Sequence, residues 1–332
     1  MNKLKYFIPV LLLIASAGCE DDPPVSKPVV PKPVVTPPVF MMDSAYHFVQ
    51  HQVDFGPRVP NTSAHAKCAD WLAQKLRGYG ASVIVQEAEA TAFDGTKLNM
   101  KNIIGAFNPT AKKRILLCAH WDTRPFADKD SLESNWHKPI DGANDGGSGV
   151  AVLLELARMF QQQPLAFGVD IIFFDAEDYG KPEFLKKDLN DDDVLTWCLG
   201  SQYWASHLHK PSYQAKYGIL LDMVGAKDAT FYKEGYSMNY APHVVDNVWA
   251  AAQKLGHGQY FMEDEMGGMI DDHLPINEIA GIPTIDVIHY DMSPQVMGFG
   301  YFHHTHRDNM KVIDANTLKA VGETIAYVVY ND

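Results

Sequence analysis

Hydrophobic positions along the chain fall into two alternating rhythms. Arg114 to Ala119 and Val169 to Phe174 are near-continuous apolar runs, the pattern of a strand covered on both faces. Ser82 to Ala88, Asn102 to Phe107, Tyr217 to Leu221 and Pro283 to Ile288 give further strand signals. Between them apolar residues recur at helical spacing. Gly146 to Phe160 sets Val150, Leu153, Leu154, Ala157 and Phe160 on one face. Helices are also predicted from Asp43 or Ser44 to about Val53, and from Thr62 or Ser63 to Arg77, whose apolar face is Trp71, Leu72 and Leu76. Leu199 to His207, Ala241 to Leu255 and Asp314 to Tyr330 complete the set. The alternation predicts an α/β fold: a three-layer sandwich with a mixed, mainly parallel central sheet, the opening strands forming an antiparallel edge and helices covering both faces. Open sheets of this kind bind ligands outside the carboxyl ends of their strands.

The first residues break this rhythm. Lys3 and Lys5, the apolar run Tyr6 to Ile14 and the small residues up to Gly18 read as a signal peptide over residues 1–18. The run is too short to span a bilayer. Ser16-Ala17-Gly18-Cys19 resembles a lipobox, so a lipid on Cys19 is expected to be the only membrane link of an exported protein, periplasmic or held at the outer membrane of a bacterial envelope. Residues 19–41 then form a Pro-rich spacer, with seven prolines between positions 23 and 38, a composition that favours extended polyproline II chain. A single catalytic domain is expected over 42–332, as a monomer.

Composition narrows the function. The chain has 332 residues, 46% hydrophobic and 21% charged, enough for a large core and too apolar for disorder. With 41 acidic against 28 basic residues, a net charge of −13 and no Lys/Arg-dense stripe, a nucleic-acid partner is excluded. Four cysteines without Cys-x-x-Cys spacing exclude a disulfide scaffold or a thiolate zinc ribbon. Cys68, Cys118 and Cys198 can hold one disulfide or none. Any metal must therefore sit on oxygen and nitrogen.

Polar residues collect where the buried strands end: His120 and Asp122, then Asp175, Glu177 and Asp178, then Asp222. The loop Gly142 to Gly149 places Asp145 at the start of a helix, where backbone N–H groups steady a carboxylate. Phe302-His303-His304-Thr305-His306 precedes the last helix. Each group alone occurs in ordinary loops, but all of them at element ends point to one site. Carboxylates clustered without Arg or Lys partners repel, and a divalent cation removes that cost. Asp, Asp and His suit zinc with an open coordination position. His47 and His51 lack the Glu of His-Glu-x-x-His and read as surface residues, as do His207 and His209; Asp191-Asp192-Asp193 reads as a solvated loop.

His120-Trp121-Asp122, Gly142-Ala143-Asn144-Asp145, Asp175-Ala176-Glu177-Asp178, Leu221-Asp222-Met223-Val224-Gly225 and His304-Thr305 resemble, in order and spacing, the M28-type zinc aminopeptidase superfamily. The Trp197 to Trp204 segment, Gly225-Ala226 before Thr230-Phe231, and Asp271-Asp272-His273-Leu274-Pro275 look more like the glutaminyl-peptide cyclotransferases, especially their bacterial envelope form. The resemblance implies one zinc ion on Asp145, Asp178 and His304, Glu177 as proton shuttle, Asp222 and Asp271 as a hydrogen-bonded pair beside it, and Trp197 as an apolar wall. It departs from the animal members where Asp178 stands for their usual zinc-ligand Glu and His303 for the Trp before the zinc His, which changes the substrate wall. The implied substrates are peptides or proteins with N-terminal Gln. A two-zinc aminopeptidase or carboxypeptidase is the rival reading, with His120 and Asp222 at the second metal.

Overall fold

A computed structural model describes residues 33–187, 194–294 and 296–332. The expected signal peptide, Cys19, most of the spacer and Asp191 to Asp193 lie outside the described residues. Helices α1 (Met42–Asp54) and α2 (Ser63–Gly78) precede strands β1 (Ser82–Thr91), β2 (Lys97–Phe107) and β3 (Arg114–His120). Then come α3 (Ser148–Gln162), β4 (Gly168–Phe174), α4 (Leu199–Ser206), β5 (Gly218–Asp222), β6 (Phe231–Lys233), α5 (Gly235–Tyr240), α6 (Pro242–Leu255), β7 (Phe261–Glu265), α7 (His273–Glu278), β8 (Thr284–Ile288) and α8 (Ala315–Tyr330).

The main sheet has the order β1-β2-β4-β3-β5-β8. β1 and β2 form the antiparallel edge, while β4, β3, β5 and β8 run parallel. Because side chains alternate along a strand, Ile115, Leu117 and Ala119 enter the larger core with α2, α3 and α8, and Leu116 and Cys118 enter a smaller one beneath α4 and α7. All parallel strands therefore deliver their carboxyl ends to one edge.

The short sheet of β6 and β7 and the six-residue α7 were not legible as periodic runs. α1 starts at Met42 without a side-chain cap. Thr62 does cap α2, its hydroxyl accepting from His65 N at 3.2 Å. Thr62→Ala is expected to lower stability by about 1 kcal/mol in urea unfolding, and to loosen His65, which serves the site. The folded unit begins at Val35, earlier than Met42: Val35 N donates to Asn331 Oδ1 at 2.8 Å and buried Phe40 packs on Gly322. Cys68, Cys118 and Cys198 are buried free thiols. His209 is half-buried, not a surface residue; it accepts the Trp204 indole N–H at 3.1 Å, and burial lowers its pKa to about 4.

Candidate active site

The turn after β4 is held from two sides. Asp122 accepts Glu177 N at 3.0 Å and Asp178 N at 3.2 Å, one on each carboxylate oxygen. Asp175 accepts from His65 Nε2 at 2.8 Å, Lys101 N at 2.6 Å and Ala176 N at 2.7 Å, and its own N–H donates to Asn102. His65 is stacked on Trp121 with ring centroids 4.4 Å apart. Ala176 itself has φ +52°. Cys198 (φ +56°) closes the turn from the other side, its N–H donating to Glu177 O at 3.0 Å and its thiol to Glu177 Oε1 at 3.4 Å.

A second loop carries Asp145. Helix α3 begins only at Ser148, so Asp145 lies in the turn before it and not on its first residues. Its position is set by Asp308, which accepts Asn144 N at 2.7 Å and Asp145 N at 3.0 Å. Burial, with Asp145 beside it, pushes the Asp308 carboxyl up to about 8. The Asn144 side chain accepts Gly225 N at 2.8 Å, next to Met223 (φ +48°), so the loops after β3 and β5 are joined. Fully buried Arg58 donates to the carbonyls of Asp141 and Gly142. Gly146 has φ +80°, and a Cβ there would stand 2.2 Å from Asp122 O, so only glycine allows the loop to pass this close.

His304, also left-handed at φ +56°, completes the set from the loop before α8. Its Nε2 lies 3.3 Å from Asp178 Oδ1 and 3.7 Å from Asp145 Oδ2. Two donors bonded to one tetrahedral zinc at about 2.0 Å stand about 3.3 Å apart. Asp145 Oδ2 and Asp178 Oδ2 are buried without a hydrogen-bond partner among the described residues, and burial together with Asp145 pushes Asp178 well up. Asp145 Oδ2, an orphan, and Asp178 Oδ1, both within 3.7 Å of the His304 imidazole nitrogen, are with it a donor set that fits a divalent cation. Asp128 Oδ1, 3.6 Å from His304 Nδ1, stands where a carboxylate orients a ligating imidazole.

His120 forms a second group. Its Nε2 is 3.1 Å from both Asp145 Oδ1 and Asp222 Oδ1. Burial opposes its charge, yet Asp122, Asp145 and Asp222 outweigh that and hold the imidazole pKa well up. Asp222 and Asp271 line the same cleft and feel each other's charge, but their hydrogen-bond partners differ: Asp222 Oδ1 is 3.1 Å from His120 Nε2, Asp271 Oδ1 accepts Asp272 N at 2.5 Å, and Asp271 Oδ2 is buried without a partner among the described residues. Ligand atoms of Glu177, Cys198 and Asp271 lie within 4.8 Å of one another. Burial first, then Asp178 and Asp271, push the Glu177 carboxyl well up.

One expectation is corrected here: the carboxylates do have an arginine. Arg124, 1% exposed, holds both oxygens of Asp128 at 2.7 Å, and its Nη1 donates to Asp178 O at 3.0 Å and lies 3.3 Å from Asp178 Oδ1. Its guanidinium lies 4.7 Å under the Trp197 ring, which in turn runs parallel to His304. A cleft of about 300 Å³ opens over this floor, bringing together Asp145, Glu177, Trp197, Asp222, Asp271, His303 and His304. Asp178, itself buried, is not among its lining residues. His65, Arg58, Arg124, Asp128, Asp286 and Asp308 were not singled out from the sequence; only Arg124, two residues after Asp122, left a readable signal.

The model of peptidase family M28 matches residues 102–329. The crystal structure of Bacteroides thetaiotaomicron glutaminyl cyclase bound to N-acetylhistamine is 52% identical, with a TM-score of 0.86 over 90% of this chain and 100% of that one. Tannerella forsythia glutaminyl cyclase is 54% identical, with a TM-score of 0.85 over 89% and 100%. Among curated proteins, Aminopeptidase YwaD of Bacillus subtilis is 28% identical over 74% of this chain, which spans only 48% of that relative's length. The chain belongs to peptidase family M28 and, within it, to the group of the bacterial glutaminyl cyclases.

Proposed function

We propose that this chain is a glutaminyl-peptide cyclotransferase, closing the N-terminal glutamine of peptides and proteins into pyroglutamate with release of ammonia. The observation that carries the reading is that Glu177 shares one cleft with Asp271 on one side and with Asp145 and His304 on the other. A single zinc ion held by Asp145, Asp178 and His304 would supply Lewis-acid polarisation of the γ-carbonyl. Glu177 takes a proton from the attacking α-amine and delivers it to the amide nitrogen as the C–N bond breaks, so no water is consumed. Asp271 and Asp222 offer acceptors to the amine, and Asp122 keeps the Glu177 backbone fixed during the transfer. Trp197, braced by Arg124, and His303 wall the side chain of the glutamine.

His120, Asp145 and Asp222 also bring ligand atoms within 4.8 Å, the observation that favours a two-zinc aminopeptidase as second reading. Mass spectrometry separates the two. A Gln-initiated peptide is expected to lose one ammonia, with about one tightly held zinc per chain, and chelation to abolish the reaction. Loss of a whole residue, with two zinc ions, would replace the first reading by the second.

We further propose export directed by residues 1–18 and a lipid on Cys19 as the membrane link of a monomer. Among the described residues no helix is long and apolar enough to cross a membrane.

A further inference from the structure

The cleft has two electrostatic characters. Its floor is carboxylate, with Asp145, Asp222 and Asp271 all buried. Its mouth carries the exposed Lys129, the half-buried His303 and Phe299, and the Lys186–Glu183 pair at 3.0 Å. Lys129 is tied to the loop before α8 twice: its N–H donates to His304 O at 3.2 Å, and its ammonium donates to His303 Nδ1 at 3.0 Å. A nitrogen accepting from an ammonium carries no proton, so His303 is a neutral ring protonated on Nε2.

Among the described residues no carboxylate forms an ion pair with Lys129 within 4.0 Å. Among the described residues, Asp128 and Glu183 are the carboxylates whose charge reaches it. Asp128 is engaged by Arg124 at 2.7 Å and Glu183 by Lys186 at 3.0 Å. The net charge of −13 repels acidic peptides from afar, but at physiological ionic strength charges beyond about 8 Å are screened. A cation at the mouth then decides.

We propose that Lys129, seated on His303, is a specificity-determining residue that favours peptides with an acidic residue directly after the N-terminal glutamine. The inference rests on the cyclisation reading. With the amine at Glu177 and Asp271 and the γ-carbonyl at Asp145 and His304, the glutamine fills the floor and the second residue is the first to pass the mouth. Attraction to Glu or Asp there, and repulsion of Lys or Arg, follows from one partly solvated charge.

The test compares kcat/KM of the full, zinc-loaded protein on three peptides identical except for Glu, Ala or Lys after the glutamine. Glu is expected over Lys by about fivefold at physiological salt, the upper range for a solvated pair. Lys129→Arg keeps the order, Lys129→Met erases it and Lys129→Glu inverts it. A bracing role alone would lower all three peptides equally and leave the ratio unmoved, which overturns the proposal, as does a parent protein with no order among them. Cyclisation without a charge preference sinks this inference alone; no cyclisation of any peptide sinks the functional reading and this one with it.

Discussion

Glu177→Gln is expected to lower kcat on a Gln-initiated peptide by ~10²–10⁴-fold, with KM and zinc content held near those of the parent. The substituted side chain keeps its size, and the backbone stays clamped, because Asp122 accepts its N–H and Cys198 donates to its carbonyl. What the amide loses is the ability to take a proton from one nitrogen and pass it to another. A half-buried carboxyl crowded by Asp178, Asp271 and Asp272 is also removed, so the melting temperature should not fall. Steady-state kinetics beside metal analysis decides the matter; an unchanged kcat would show that the proton travels elsewhere.

Arg124→Met should cost about 3–5 kcal/mol of folding free energy, the range for stripping one partner from a buried ion pair. The substitution leaves Asp128 and Asp178 buried without their cation, and takes the guanidinium from beneath Trp197. Burial works against ionised Asp128, yet the Arg124 hydrogen bonds hold its carboxyl below the usual range. A depressed carboxyl stabilises the fold above its unfolded pKa and loses that contribution as pH falls through the folded value. The gap between parent and variant in urea unfolding should therefore be full at pH 7 and narrow below the ordinary carboxylate range. Arg124→Lys should restore only part, since an ammonium cannot span both Asp128 oxygens and the carbonyls of Asp178 and Gly180 at once. A gap independent of pH would assign the loss to packing.

Much of this architecture was readable because burial writes itself into periodicity. β3 and β4 are covered on both faces and appear as apolar runs, and α3 shows its helical stripe. β7 reads Phe-Met-Glu-Asp-Glu and is mostly exposed, so no alternation marks it. α7 is six residues with an internal proline and leaves no repeat to detect. The residues that end the parallel strands were legible for the same reason, as polar groups directly after buried segments. Their supports were not. Arg58 and His65 are types that usually face solvent, and nothing local distinguishes them; their partners Gly142 and Asp175 are brought near only by the tertiary fold. The partner of Asp222 followed the same logic: His120 comes from the neighbouring strand β3, a matter of sheet order and not of spacing.

Ala176, Cys198, Met223 and His304 all hold left-handed backbone without being glycine, and each such residue costs roughly 1–2 kcal/mol. The folding free energy forgone lies in the segments that aim Glu177, Asp178 and His304. An engineer seeking heat tolerance would find glycine at position 176 tempting, since it relieves that torsion, yet it would also give the turn freedom to wander. Thermal robustness and turnover are thus set against each other at the same few torsion angles, and gains in one should be sought away from this edge of the sheet.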